Sequence, residues 1–387
     1  MKTTLRFAVL LSVLAILLPR AGADDAPPKT VAAALQPFVD RHALAGAVAL
    51  VADKDKVLGV NTVGFADIAG QAPMKPDTLF WIASMSKPIT ATALMMLVDE
   101  GKVKLDDPVE KYLPEFKDVW LAVEKDKEHM LLKRPAKSIT VRHLLSHTSG
   151  LPFASAMEQP ALDQLTLRDA ATSYAMTPLQ SEPGTKYAYS NAGINTAGRI
   201  IEVVSGMPYE EFLNKRLFEP LGMKDTTFLP SAGQLKRLAT AYKPNKDKSD
   251  LEETKIGQLT YPLGDRKRQP MPAGGLFSTA ADLGVFCQML LNGGTRGQVR
   301  YLSEAAVREL TTKQTGDGVP NAYGLGFDVG GGRFGHGGAY ATNMSVDPKT
   351  GLITIFLVQH AGWIKDGDQS LGAFRKAAQA QFGNPRE

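Results

Sequence analysis

Apolar strand-like runs occur at the two ends of this chain and not in its middle, and this distribution constrains the fold more than any other feature. Near the start, "AVALVADKDKVLGV" sets two apolar runs around Asp53-Lys54-Asp55-Lys56, the pattern of a hairpin of buried strands. Near the end, "YGLGFDV", "RFGHGG", "TNMSVD" and "LITIFLVQ" are separated by Gly-rich or Pro-Lys-Thr-Gly turns. From Ser84 to about Tyr242 the chain reads as helices and loops, with one helix over 89–100 stopped by Gly101 and another over 195–204 stopped by Ser205-Gly206. Amphipathic patterns over 30–42 and 369–382 predict a helix at each end of the folded chain. The expectation is an α+β fold: one antiparallel sheet built from both termini and flanked by helices, with a mostly helical lobe inserted. The α/β lobe takes about 24–83 and 270–387, and the helical lobe about 84–269. Charged, Pro-bearing segments over 117–137 and 243–255 read as surface loops, and a cleft is expected near Ser84, where one lobe hands over to the other.

Residues 1–23 read as a secretory signal peptide rather than as part of the fold. Lys2 and Arg6 precede an apolar run from Phe7 to Leu18, and Ala21-Gly22-Ala23 is an A-x-A cleavage site. The run is too short for a membrane span, and Asp24 after the cut signals no lipid anchor. The expected location is therefore the periplasm or the exterior, with the cut after Ala23. Formal net charge is +4, of which Lys2, Arg6 and Arg20 leave with the signal, so nothing points to nucleic acid or an anionic membrane surface. The single cysteine, Cys287, excludes an internal disulfide and shares a helical face with Leu283, Phe286, Leu290 and Leu291, which reads as a buried thiol.

The chemistry begins at "ASMSKPITATALMM". Pro88 lacks an N–H and is tolerated only in a helix's first turn, so the helix starts near Ser84 or Met85. Ser84 and Lys87 then stand one turn apart on one face, with Ile89, Ala93, Met96 and Leu97 as an apolar stripe behind them. A hydroxyl at the positive end of a buried helix suits a nucleophile. The lysine is a base only if altered, since at its reference pKa of about 10.4 roughly 0.04% is neutral at pH 7. Desolvation is one way to supply the about 4–5 kcal/mol needed to bring it near 7. The plain alternative is a capping serine and a solvated lysine.

Two further stretches favour the chemical reading. "KYAYSNAG" holds Tyr189 and Asn191 two apart in an extended turn, pointing the same way, one to relay a proton and the other to grip a carbonyl. "GRFGHGGAYAT" holds His336-Gly337-Gly338 on a strand, where paired glycines admit a substrate backbone. The next backbone N–H, of Ala339, completes an oxyanion hole with that of Ser84. In this order and spacing the chain resembles the penicillin-recognising serine hydrolases: class C β-lactamases, D-alanyl-D-alanine carboxypeptidases and family VIII esterases. "LDDPVEKYLP", "ITVRHLLSHTSGLP", "PAGGLFSTAADLGVFCQMLLNGG" and "YGLGF" carry the same resemblance over most of the chain.

The resemblance implies Ser84 as acylated nucleophile, Lys87 as the group taking its proton, and Tyr189 as general base or acid with a phenolate kept accessible by Lys87. It implies Asn191 as ligand of the acyl side-chain carbonyl, and Ser84 and Ala339 as oxyanion donors. His336 and Gly337 stand where the family carries lysine and a hydroxyl residue that meet a substrate carboxylate. A lost charge-assisted hydrogen bond is worth about 1.5–3 kcal/mol, which disfavours β-lactams and favours small uncharged esters or amides.

Other features read as decoys. Lys349-Thr350-Gly351 has turn composition. His143 and His147 have zinc-ligand spacing but no following Glu, and read as structural histidines. Ser86 has no lysine at i+3 and reads as a polar wall of the site, and Asp265–Arg268 ("DRKR") reads most simply as a solvated loop, with a rim of the cleft as the alternative. No cofactor or metal is implied. The expected function is an exported serine hydrolase acting on small-molecule esters, amides or D-amino-acid peptides through an acyl-enzyme. The alternatives are a penicillin-binding sensor that acylates without turnover, a true β-lactamase, and a non-catalytic wall-binding module.

Overall fold

The computed structural model describes residues 30–383; the signal-peptide reading of residues 1–23 lies outside them. The elements that frame the site are, in chain order, α1 (Val31–Asp40), β1 (Gly46–Ala52), β2 (Val57–Asp67), β3 (Ala72–Pro73), α2 (Ser86–Asp99), α3 (Asn191–Ser205), α4 (Ala280–Leu291), β4 (Asp328–Gly330), β5 (Arg333–Gly337), β6 (Asn343–Asp347), β7 (Leu352–Leu357) and α5 (Ser370–Phe382). The sheet runs β4-β5-β6-β7-β1-β2-β3, antiparallel throughout. Strands from the two ends of the chain meet at the β7–β1 pair, with Val48 opposite Leu357 and Leu50 opposite Ile355. Residues between β3 and β4 contribute no strand to this sheet.

The unbroken apolar run of β1 has a simple cause: all seven residues are buried because both faces of the strand are covered. Side chains alternate across the pleat. Val48, Leu50, Ile353, Ile355 and Leu357 enter the main core with α2, α3 and α4, whereas Ala47, Ala49, Val51, Leu352 and Phe356 pack under α1 and α5. Helix α1 meets that outer face with Val31, Ala34, Leu35 and Phe38, the i, i+3, i+4, i+7 spacing of one buried stripe. Thr30 caps it by accepting from Ala33 N–H at 3.2 Å.

Several local expectations are corrected. The segments read as loops contain short hairpins, Leu121–Lys125 with Met130–Lys133 and Ala241–Pro244 with Leu251–Thr254. Of "YGLGFDV" only the end is strand, β4, while Tyr323, Leu325 and Phe327 are buried in the turn before it. Helix α2 is buried at every residue from Ser86 to Leu97, not along one stripe. Helix α3 begins at Asn191, four residues before the expected start, with Ser190 as its cap accepting from Gly193 N–H at 3.0 Å. Cys287 is buried as expected, beside Met344, and burial pushes its thiol up to about 12.

Candidate active site

Six segments converge at one cavity: the turn before α2, the start of α3, the end of β5, the Met271–Gly275 turn and the loops that carry Phe153 and Gln258. Ser84 sits in a single 3-10 turn, Ala83–Met85, which follows Phe80–Trp81 paired to Phe277–Ser278. Ala83 has φ 45°, a left-handed conformation costly for a residue with a Cβ, immediately before the hydroxyl. The cavity measures about 320 Å³ and is lined by Trp81, Ser84, Phe153, Tyr189, Asn191, Gln258, Met271 and the Gly337-Gly338-Ala339 backbone.

Lys87 lies beneath Ser84 with no exposure to solvent. Its Nζ stands 3.0 Å from Ser84 Oγ, 2.8 Å from Asn191 Oδ1 and 2.7 Å from the carbonyl of Ala273. Burial drives its pKa well below the usual lysine range, against a smaller opposing pull from Asp328. A neutral amine has two N–H bonds and one lone pair. Asn191 and Ala273 present only acceptors to it, so they take both N–H bonds and the lone pair is left for the Ser84 proton. The same burial makes stability pH-dependent. The unfolded chain binds the proton more readily, so folding stability should rise with pH from the depressed folded pKa of Lys87 up to about 10.4. Denaturant titrations across this range should show that slope, reduced in Lys87→Met.

Tyr189 closes the group. Its ring lies under Lys87 Nζ at 4.6 Å, and its hydroxyl lies near enough to Ser84 for that side chain to oppose the rise in its pKa. Burial pushes its pKa above the usual phenol range, so the protonated phenol is the resting form. The accessible phenolate implied by resemblance is disfavoured at rest.

The Ala273 carbonyl that holds Lys87 is itself latched by residues that sequence reasoning missed. Asn195 Oδ1 accepts from Ala273 N–H at 3.0 Å, and Thr90 Oγ donates to the carbonyl of Pro272 at 2.8 Å. Asn195 Nδ2 donates to the Tyr174 hydroxyl at 2.9 Å, which donates to Glu158 Oε1 at 2.5 Å. Trp81 Nε1 holds the next carbonyl, of Gly274, at 2.7 Å. One signal was available: Asn195 lies four residues after Asn191, on the same helical face.

On β5 the three expected residues separate. His336 does not line the cavity. It is buried, and its Nδ1 lies 2.6 Å from the Gly337 carbonyl while its Nε2 lies 2.9 Å from the Tyr323 hydroxyl. A carbonyl only accepts, so Nδ1 carries the proton and Nε2 accepts from Tyr323. Burial pushes its pKa down to about 4, with Lys87 adding to the fall and Asp328 opposing it, so the ring is neutral near pH 7. Gly338 is required by packing, since a Cβ there would stand 2.6 Å from the Ile82 carbonyl and 2.1 Å from Thr342 Oγ. Gly337 is not, since a Cβ would meet nothing nearer than 3.7 Å. Ala339 has a backbone N–H with no backbone acceptor among the described residues and lines the same cavity as Ser84.

The remaining candidates fall outside the cavity. Ser86 is fully buried, donating to the Ala83 carbonyl at 2.7 Å and accepting from Leu276 N–H at 3.2 Å. Lys349-Thr350-Gly351 is a turn organised by Asp347, which accepts from the N–H groups of Lys349 and Thr350. His143 accepts from Thr140 N–H at the start of its own short helix. Arg268, read as solvated, is instead buried and paired to Asp163 at 2.6 Å.

A serine and a tyrosine, both half-buried, over a fully buried lysine, set between an antiparallel sheet and helices, define a β-lactamase-fold serine hydrolase. The chain belongs to that family: residues 31–379 match the family described as Beta-lactamase. It is 35% identical to Protein Rv1367c of Mycobacterium tuberculosis over 365 residues, covering 85% of this chain and 89% of that one. It is 34% identical to Esterase EstB of Burkholderia gladioli over 211 residues, 51% of this chain and 50% of that one. Among solved structures it is similar to EstCE1, a hydrolase with promiscuous acyltransferase activity, at 26% identity and TM-score 0.74, covering 90% of this chain and 97% of the other.

Proposed function

We propose that this protein is an exported hydrolase of small uncharged esters, acting through an acyl-Ser84 intermediate. The observation that carries the substrate class is the charge of the cavity. Among the described residues no Arg, Lys or His side chain lines it, because His336 is turned away and neutral. A substrate carboxylate would lose its hydration there without gaining a cation.

The reaction runs as follows. Neutral Lys87 accepts the Ser84 proton as Oγ attacks the ester carbonyl, and the developing oxyanion takes the N–H groups of Ser84 and Ala339. As the C–O bond breaks, Tyr189 donates its hydroxyl proton to the departing alkoxide and is reprotonated from the Lys87 ammonium. Water enters and reverses these transfers, releasing the acid and free Ser84. Asn191 Oδ1 is occupied by Lys87, so its Nδ2 faces the acyl carbonyl. The base assignment predicts that kcat/KM rises with pH through the depressed Lys87 pKa, and a rate that falls with rising pH would contradict it.

The test compares substrates. Esters such as p-nitrophenyl butyrate should turn over, while a chromogenic cephalosporin and a peptide ending in D-alanyl-D-alanine should show kcat/KM lower by about 10- to 150-fold, one charge-assisted hydrogen bond. A lasting fluorescent-penicillin label on Ser84 without ester turnover would support the sensor reading instead. We also propose export with cleavage after Ala23, supported by the signal pattern of residues 1–23. The N-terminal sequence of protein recovered outside the cytoplasm of a producing strain checks it, and retention of Met1 in that fraction would overturn it.

A further inference from the structure

We propose that His147 is the positioning residue for Tyr189, holding the backbone N–H groups of the residues before and after that tyrosine so that its hydroxyl stays beside Ser84. This rests on the acyl-serine reading above and adds a residue to it.

His147 lies two residues beyond the short helix Val141–Leu145, at φ 58°, with no solvent exposure. Its carbonyl accepts from Ala188 N–H at 2.8 Å, and its Nδ1 accepts from Ser190 N–H at 3.2 Å. Tyr189 is the residue between these two anchors. The imidazole also lies against the Tyr189 ring, centroids 4.5 Å apart, and is backed by Tyr323 at 4.6 Å. One residue thus anchors the chain one residue before and one residue after the tyrosine and packs against its ring.

The helix α3 does not need this grip. Ser190 already caps it through its hydroxyl, which accepts from Gly193 N–H and donates to the Pro152 carbonyl at 2.6 Å. The Ser190 N–H is therefore spent on His147 for a different purpose. Because a backbone N–H can only donate, Nδ1 is bare and Nε2 carries the proton, without a partner among the described residues. Burial keeps the ring neutral, so the acceptor persists. A shift of about 1 Å at a reacting group costs on the order of 100-fold in rate, which is the scale at stake if Tyr189 swings.

The experiment uses His147→Asn and His147→Gln. Asparagine places its Oδ1 where histidine places Nδ1 and tolerates positive φ; glutamine carries the acceptor one carbon farther out. kcat/KM is measured with p-nitrophenyl butyrate, whose leaving group departs without a proton, and with ethyl butyrate, whose alkoxide needs one. His147→Gln should lower the ethyl ester by about 100-fold and the nitrophenyl ester by about 10-fold. His147→Asn should stay within about 5-fold of the parent on both. With Tyr189→Phe in place, His147→Gln should cost under about 3-fold, because its action runs through the missing hydroxyl.

Equal losses on the two esters, an undiminished loss in the Tyr189→Phe background, or Asn no better than Gln would each overturn the proposal. Should His147→Gln fail to fold by circular dichroism, His147→Asn decides: near-parental rates support the grip, and a folded variant losing over about 30-fold on both esters refutes it. The acyl-serine reading is judged separately, on the parent protein and Ser84→Ala.

Discussion

Ser84→Ala should lower ester turnover by about 10⁴-fold or more while leaving thermal unfolding within about 1 kcal/mol of the parent. The first expectation follows from covalent catalysis, since without Oγ neither the amine nor the phenol has a proton to take and no acyl-enzyme forms. The second follows from position. Ser84 is half-buried in a turn, and its side chain contributes one hydrogen bond to a lysine that keeps two other partners. Lys87→Met should lose nearly as much activity, because groups that act as a unit are not additive. Steady-state kinetics with p-nitrophenyl butyrate and a melting curve on the same preparation check both. Turnover within about 10-fold of the parent in folded Ser84→Ala would remove the nucleophile from the account.

The largest stability effect is expected at Arg268. Its guanidinium and the Asp163 carboxylate are 2% and 1% exposed and meet at 2.6 Å. Asp163 also accepts from Thr260 N–H at 2.8 Å and from its hydroxyl at 2.7 Å, while Arg268 donates to the carbonyls of Leu263 and Phe228. Removing one partner strands a buried charge, so Arg268→Met should destabilise by about 3–5 kcal/mol. Asp163→Leu combined with Arg268→Met should recover much of that loss, because neither charge is then left alone. The pair ties the segment after Phe153 to the one that carries Gln258, Met271 and Ala273, all at the cavity. Activity should therefore fall at temperatures where the single variant is still folded. Urea unfolding of the two variants measures the effect, and a single variant within about 1 kcal/mol of the parent would mean the pair is dispensable.

Much of this architecture is legible in the sequence. The run "AVALVAD" reads as a buried strand and is one, whereas its hairpin partner β2, also read as buried, leaves Val57 and Val60 exposed; the helix read over 30–42 forms over Val31–Asp40. Pro88 placed the start of α2, and with it the one-turn spacing of Ser84 and Lys87. Helix α3 was legible too, but its start was set four residues late. Ser190 before Asn-Ala-Gly is an N-cap pattern, masked in the sequence by Tyr189 and Asn191 on either side of it. Arg268 was misread for a general reason: a run of charges usually marks a solvated surface, and only a carboxylate 105 residues away reverses that.

What the sequence determined by itself was local: which stretches are strands, where helices begin, and which hydroxyl and amine share a helical turn. These follow from side-chain periodicity and backbone sterics acting over a few residues. Only the tertiary structure decided the chemical state of those groups. Lys87 is driven toward the neutral amine because Ala273, 186 residues away, and Asn191, 104 away, close over it. His336 offers the cavity no cation because Tyr323 and its own strand's carbonyl claim both ring nitrogens. Protonation and orientation depend on burial and on partners distant along the chain, and no local pattern encodes either.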